Sequence, residues 1–505
     1  MGEKDIRSMR NTIEFLEKEG ELLTIKNEID PIYEIAGMEK ALEDSYALMF
    51  ENIKGYPGVR CAGNIFTRDE IAAKIFGVAD YKKFKLKFRD AIVKPLPAKV
   101  VEQAPCQEVV ITKDIDVPGL MPIIKHTEID AGRIMGGAQY LAMEPYISGN
   151  DLAFRRTHFR GKDWASVMVN PGSNYGQEAR FVKQPVAITA NIGIPPAPLL
   201  VAGGGMFRSI IPRGSDELGM AGALQGFPVE LCKAKTVDAY SIAEAEWVIE
   251  GYLDYSNRVW ESDESEKSQI PRTAPFFPEY GRYIGRCMKV WRFQVTAITH
   301  RKDRPIYYTS LADSFEGDNL EAMLNEGCYM ELCERLYPGF VQDVHALHSQ
   351  AGGWNGIVLQ VKKRRLGDEG RQRQLLATVL NLENLPMAVV VDDDVDIYCA
   401  EDVLWAIQTR VNMATGIVRG TTGAVANLLQ PGQTVSTSQD QAQDFSFGGG
   451  VGFDATKPLD RAWGFERPKH PVHLIDLKKW LSGEQISAAR ARQSDYAKVL
   501  AENGW

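Results

Sequence analysis

Three stretches place chemically useful groups at informative spacing. In Asn150-Asp-Leu-Ala-Phe-Arg155 an amide precedes a guanidinium by five residues. In Ala274-Pro-Phe-Phe-Pro-Glu279-Tyr-Gly-Arg-Tyr283 a carboxylate is framed by prolines and aromatics. Glu217 falls in the first turn of an expected helix, just after the loop Gly203-Gly-Gly205. An amide oxygen and a carboxylate suit a hard divalent cation, whose shell a phosphate can complete. A guanidinium offers a planar fork to a carboxylate and stays charged when desolvated. A carboxyl group among aromatics has its pKa pushed up by desolvation, which favours a proton donor. Together these are parts of a site for an aromatic acid. Read locally, Asn150 also fits a turn after Ser148-Gly149, and Glu217 an ordinary first-turn acid. Arg156 follows Arg155 at once and, on a strand, would point to the opposite face. Spacing from Asn150 selects Arg155 for the site and leaves Arg156 as structural, paired with Asp151 or Glu144.

The elements that must hold these groups are legible in outline. Residues 5–20 carry Ile6, Met9, Ile13 and Leu16 at helical spacing, closed by Gly20. Strands follow at Leu22–Ile25 and Ala47–Ile53, with a helix over 32–43 between them. From about 108 to 310, short β-branched and aromatic runs (Val109–Ile111, Val186–Ile192, Tyr307–Thr309) alternate with Gly- and Pro-rich turns, the pattern of a closed or split β-barrel. Two helices interrupt it: Ser215 to about Leu224 with Ser215 as N-cap, and roughly Ala243–Glu250 ending at Gly251. The polar run Glu261–Gln269 reads as a solvated acidic loop. A long helix over 316–336 leads to alternating strands (Ile357–Val361, Met387–Asp392) and helices (370–381, Glu401–Val411), an α/β layer. The tail Leu474–Leu500 reads as helical and suited to packing on a neighbour.

Bulk properties bound the function. A chain of 505 residues exceeds one ordinary core. The formal charge of −9 argues against non-specific nucleic-acid binding and against docking on anionic membranes. No apolar run reaches the roughly 20 residues that span a bilayer, and Met-Gly-Glu-Lys-Asp does not open a signal peptide, so a cytoplasmic location is expected. Seven dispersed cysteines without a CxxC pair read as buried small hydrophobes. His126, His300, His345, His348, His470 and His473 match no ligand pattern, although His345 and His348 could share a helix face. Any of them could partner a phenolic hydroxyl. The aspartates of Val391-Asp-Asp-Asp-Val-Asp396 lack EF-hand spacing and read as strand-end capping and ion pairing; Lys457 reads as structural.

With Phe50-Glu-Asn-Ile-Lys-Gly55, Val391–Asp396 and Phe453-Asp-Ala-Thr456 added, the chain resembles the UbiD family of reversible decarboxylases from about residue 8 to 480. The phrase Phe277-Pro-Glu-Tyr-Gly-Arg-Tyr283 is most similar to the hydroxybenzoate and protocatechuate decarboxylase branch. The resemblance implies an α/β (α+β) fold in five parts: an N-terminal α/β segment (1–107), a split β-barrel flavin domain (108–315), a linker helix (316–336), a C-terminal α/β domain (337–470) and a helical tail (471–505). It implies reversible non-oxidative decarboxylation of an aryl acid through a covalent adduct with prenylated FMN, assisted by Mn²⁺ (or Mg²⁺ or Fe²⁺) and K⁺. Arg155 and Glu279 would be catalytic, Asn150 and Glu217 would hold the metal, and Ala153, Phe154, Arg155 and Ser209 would join them around the cofactor. A homodimer or homohexamer, and maturation by a flavin prenyltransferase, are further implications. Two departures stand out. The family's third metal ligand, a histidine, has no match in Ser166–Asn174, leaving Asn170, a water or another group. The first acid of the family's Glu-Arg-Glu set is replaced by Ala274. Competing readings are a split-barrel FMN-dependent oxidoreductase and a subunit of a larger aryl carboxylase.

Overall fold

The computed structural model describes residues 5–169, 174–178, 181–182, 184–204, 210–211, 214–382, 385–421 and 449–505. The described residues divide into two units: one runs to Glu331 and takes in Ala351–Gly353, and the other holds the remaining described residues from Leu332 onward. The first unit contains both the 1–107 and the 108–315 segments proposed from the sequence.

The N-terminal reading holds closely. Met9–Lys18 is a helix capped by Ser8, with Met9, Thr12, Ile13 and Leu16 buried. Strands Leu22–Ile29 and Ala47–Ile53 pair in parallel, which the helix Glu34–Ala41 between them permits. Arg60–Gly63 and Ile306–Tyr308 complete this four-stranded sheet.

The barrel region is one nine-stranded sheet whose main path runs Ile134–Met135, Thr157–Phe159, Trp164–Val167, Lys289–His300, Trp247–Trp260, Val186–Ile192, Ala138–Met143 and Asn150–Phe154, with Val109–Ile111 added on Lys289–His300. The two ends of the path do not pair among the described residues, so the barrel is split rather than closed. The chain steps from the terminal strand Asn150–Phe154 to Thr157–Phe159, near the opposite end, using only Arg155 and Arg156. Three Cα steps span at most about 11 Å, so the sheet must curl until its ends nearly meet. These two arginines bridge the split.

Several local expectations give way. Of the helix placed at Ala243–Glu250, Ala243–Glu246 is a turn and Trp247–Glu250 opens the long strand Trp247–Trp260. Gly251, read as a helix stop, marks a register shift in that strand, and a Cβ there would lie 2.2 Å from the Gln294 carbonyl oxygen. Glu261–Gln269 is not a solvated loop: Asp263–Ser268 is a helix with a Ser262–Ser265 capping box, and Glu261 is fully buried. The helix expected from Ser215 runs Glu217–Gln225, with Asp216 as its cap. His345 ends a strand and His348 opens a short 3₁₀ turn, so they share no helix face.

In the second unit the alternation of strand and helix produces a five-stranded sheet. Gly356–Val361, Met387–Asp392 and Val451–Ala455 are parallel at its centre, while Val341–His345 and Ile417–Arg419 edge it antiparallel. Val358, Val389, Val391, Val403 and Ala406 pack its core. The aspartate cluster is structural, as read: Arg410 pairs with Asp394 at 2.8 Å and Asp392 at 3.3 Å, and Lys457 with Asp394 at 2.9 Å. The tail is helical only in part, at Gly483–Ala491 and Asp495–Asn503.

Candidate active site

The structure sorts the two bridging arginines to different sides, and the sorting is the reverse of the expected one. Arg155, not Arg156, takes Asp151, at 2.7 Å. Arg156 holds the acid expected of Arg155: its Nη1 donates to Glu279 at 2.5 Å. Its Nε and Nη2 close a fork on Glu261 at 3.0 and 2.8 Å. Regular alternation does separate neighbouring side chains, but the strand ends at Phe154, so counting from Asn150 cannot say which arginine faces which way.

Glu261 is the residue that sequence reasoning missed. It lies 18 positions before Glu279 (279 − 261) and gives Arg156 a second carboxylate, where Ala274 offers none. Its Oε2 also accepts from the Met288 amide at 2.7 Å. The available signal was Trp260, which ends a strand before a Ser-x-x-Ser cap; an acid between them belongs to the sheet rather than to solvent.

Glu279 directly follows the first strand of the hairpin Pro275–Pro278/Ile284–Arg286. The hairpin turn is closed by Arg282 N to Glu279 O at 2.8 Å, with Arg282 at φ +59. A Cβ at Gly285 would sit 2.7 Å from Glu279 Cγ, so that glycine leaves the space the carboxylate arm fills. Phe276 lies under the Arg156 guanidinium at 4.5 Å. Burial pushes the Glu279 pKa up, although Arg156 opposes it. Burial likewise lifts Glu261 to about 7, against the pull of Arg156. One guanidinium cannot neutralise two buried carboxylates, so the trio favours holding one proton.

On the other side Asn150 and Glu217 do converge. Asn150 Nδ2 donates to Asp216 at 3.0 Å, and Asn150 Oδ1 accepts from the Leu218 amide at 3.0 Å. Glu217 accepts from the Leu152 amide at 2.6 Å. Gly149, at φ +70, permits this approach, since a Cβ there would meet the Gly214 carbonyl oxygen at 2.8 Å. Burial first, then the nearby Asp151 charge, pushes the Glu217 pKa well above the usual carboxylate range. A divalent cation would relieve this crowding of acids, and each ligand oxygen retains a lone pair beyond its amide bond. The Arg155 Nε–H is buried without a partner, an open donor for an anionic group such as a phosphate. The residues therefore fit a metal–phosphate clamp. Ala153 and Phe154 lie half-buried on the same strand, opposite Tyr140 and Gln139. Ser209, Gly205, Asn170 and Gly448 lie outside the described residues.

Three family models cover nearly the whole chain: the N-terminal, Rift-related and C-terminal domains of 3-octaprenyl-4-hydroxybenzoate carboxy-lyase match residues 13–86, 99–314 and 319–455. The chain belongs to the UbiD family. It is thereby a carboxy-lyase. Among its relatives, gallate decarboxylase of Lactiplantibacillus plantarum is 26% identical over 475 residues, covering 90% of this chain and 94% of the relative. The 3,4-dihydroxybenzoic acid decarboxylase of Klebsiella pneumoniae superposes with a TM-score of 0.79 at 30% identity, over 94% of this chain and 99% of that one. The UbiD-class enzyme HmfF of Pelotomaculum thermopropionicum, solved with FMN, superposes at 0.80 with 28% identity, over 94% and 100%. Among the described residues, no helix is long and apolar enough to cross a membrane.

Proposed function

We propose that this UbiD protein decarboxylates an aromatic acid of the hydroxybenzoate type, reversibly, with prenylated FMN and a divalent cation (Mn²⁺, Mg²⁺ or Fe²⁺), alongside K⁺. The observation that carries the reading is Arg156 spanning Glu261 and Glu279, both buried. Prenylated FMN, when bound, supplies the electron sink for the carbon–carbon bond that breaks. Asn150 and Glu217 would hold the cation, and Arg155 would meet the phosphate. Glu279 delivers the proton that replaces CO₂ on the ring carbon. Arg156 fixes Glu279 and would meet the substrate carboxylate there, a role first assigned to Arg155. Glu261 shares the positive charge of Arg156, so that Glu279 can stay protonated. Relatives that act on gallate and on 3,4-dihydroxybenzoate support a phenolic acid. We further read the protein as a homodimer or homohexamer that depends on a flavin prenyltransferase for its cofactor.

The test is co-expression with a flavin prenyltransferase, a mass spectrum of the bound flavin, and exposure to a panel of aryl acids. Prenylated flavin together with CO₂ from a hydroxylated benzoate is the expected result. Unmodified FMN with NAD(P)H oxidation and no CO₂ would move the protein to the oxidoreductase reading. Activity that appears only with added subunits would make it part of a larger carboxylase.

A further inference from the structure

Glu279 is buried, yet each decarboxylation consumes one proton, so the carboxyl group must be recharged at every turnover. The Arg156 and Glu261 side is a poor source. Arg156 does not release its protons, and Glu261 is sealed at zero exposure between Arg156 and the Met288 amide. On the other side stands a histidine that the site has not yet used. His126 packs edge-on against Phe277, with ring centroids 5.4 Å apart, two residues from Glu279. Its segment is tied to the same hairpin, Ala131 N donating to Phe276 O at 2.8 Å.

Asp130 orients the ring. One carboxylate oxygen meets His126 Nδ1 at 3.0 Å and the His126 amide at 2.8 Å, and the other accepts from Thr127 Oγ1 at 2.5 Å. Burial would raise the Asp130 pKa, but the bonds from His126 and Thr127 hold it below the usual range. An ionised Asp130 keeps the proton on Nδ1 and leaves Nε2 as the exchanging nitrogen. That Nε2 is buried and without a partner, on a side chain only 4% exposed. The charge of His126 also acts on Glu279, favouring its ionised form. Other charged groups near the pair are Lys125 and Glu128 on the same segment, and Arg156 and Glu261 behind Glu279.

We infer that the Asp130–His126 pair is the proton relay that recharges Glu279. The inference rests on the decarboxylase reading of the site. After Glu279 has given its proton to the ring carbon, imidazolium Nε2–H passes one to the Glu279 carboxylate, directly or through one water. Neutral His126 then takes a proton at Nε2 from a water admitted as product leaves, so one proton enters for each CO₂ that leaves. His126 acts through Glu279 and is a positioning residue.

His126→Asn keeps an amide where Nδ1 meets Asp130 and deletes Nε2; His126→Gln serves if the first variant fails to fold. In the full chain without flavin, the Glu279 titration is followed by its infrared carboxyl band, assigned with Glu279→Gln. It should move up by about one unit in His126→Asn, as expected when a nearby cation is lost. In the loaded enzyme His126→Asn should give a burst of one product per site, then a steady phase slower by on the order of 10²-fold, accelerated by added imidazole. An unmoved Glu279 band overturns the relay. So does slow turnover without a burst, which marks a merely structural role. If the loaded wild-type protein releases CO₂ from no aryl acid, the decarboxylase reading falls, while the infrared result still decides whether His126 and Glu279 are coupled.

Discussion

One guanidinium facing two acids sets what single substitutions should do. Glu279→Gln removes the proposed proton donor and should lower kcat by about 10²-fold or more, while bound flavin is retained; absorption and CO₂ release measure both. Glu261→Gln should act through pH instead. With Glu261 neutral, Arg156 is left to Glu279 alone, which pulls the Glu279 pKa down. The donor must be protonated, so activity is lost as pH rises through that pKa. The alkaline limb of kcat should therefore move to lower pH by about one unit, and an unmoved limb would count against the shared-charge account. Gly285→Ala should mimic a weaker Glu279→Gln, since its Cβ would crowd Glu279 Cγ at 2.7 Å.

At the scale of elements, the helix Glu217–Gln225 is held by one side chain with two duties. Asp216 Oδ1 caps it through Gly219 N at 2.7 Å and also accepts from Asn150 Nδ2 at 3.0 Å. Asp216→Ala should cost about 1 kcal/mol of stability as a lost cap. It should also weaken metal retention by roughly tenfold or more, as loss of an orienting partner does, read by elemental analysis after dialysis. The two arginines make the same point for strands. They lie where the path jumps from one end of the split sheet toward the other, so their neighbours come from elements remote in sequence.

At the scale of the first unit, Glu39 and Glu316 form a buried acid pair that joins its N-terminal sheet to the helix Phe315–Leu336. Glu39 receives the Thr309 hydroxyl, and Glu316 accepts from the Asn64 and Phe66 amides. Burial lifts their pKa values to about 8 and about 7. Both folded values exceed the unfolded one near 4.5. The folded state therefore binds more protons, and stability falls as pH rises from about 4.5 through about 8. Glu39→Gln should flatten that fall, adding about 1 kcal/mol or more at pH 8 relative to wild type, by denaturant melts across pH.

Periodicity and turn chemistry were enough for much of the chain. Ala47–Ile53, Val186–Ile192 and Met387–Asp392 were readable to the residue because β-branched runs bounded by turns have few alternatives. Asn150, Glu217 and Glu279 were nameable because their chemistry is carried in short local phrases. Misreadings arose where local and long-range signals conflict. Ala243-Glu-Ala-Glu246 has helical composition and drew the expected helix on through Trp247–Glu250, which is strand by composition and pairs with Lys289–His300 and Val186–Ile192. Sequence by itself thus determined the family and the fold class, and it singled out Glu279, the acid proposed to give the proton. Only the tertiary structure decided that Arg156 grips Glu279, that Glu261 brings it a second carboxylate where Ala274 has none, and that His126 packs on Phe277 of the same hairpin. Those contacts join residues up to 151 positions apart (277 − 126), and which of two adjacent arginines faces the acids is set by where a strand ends.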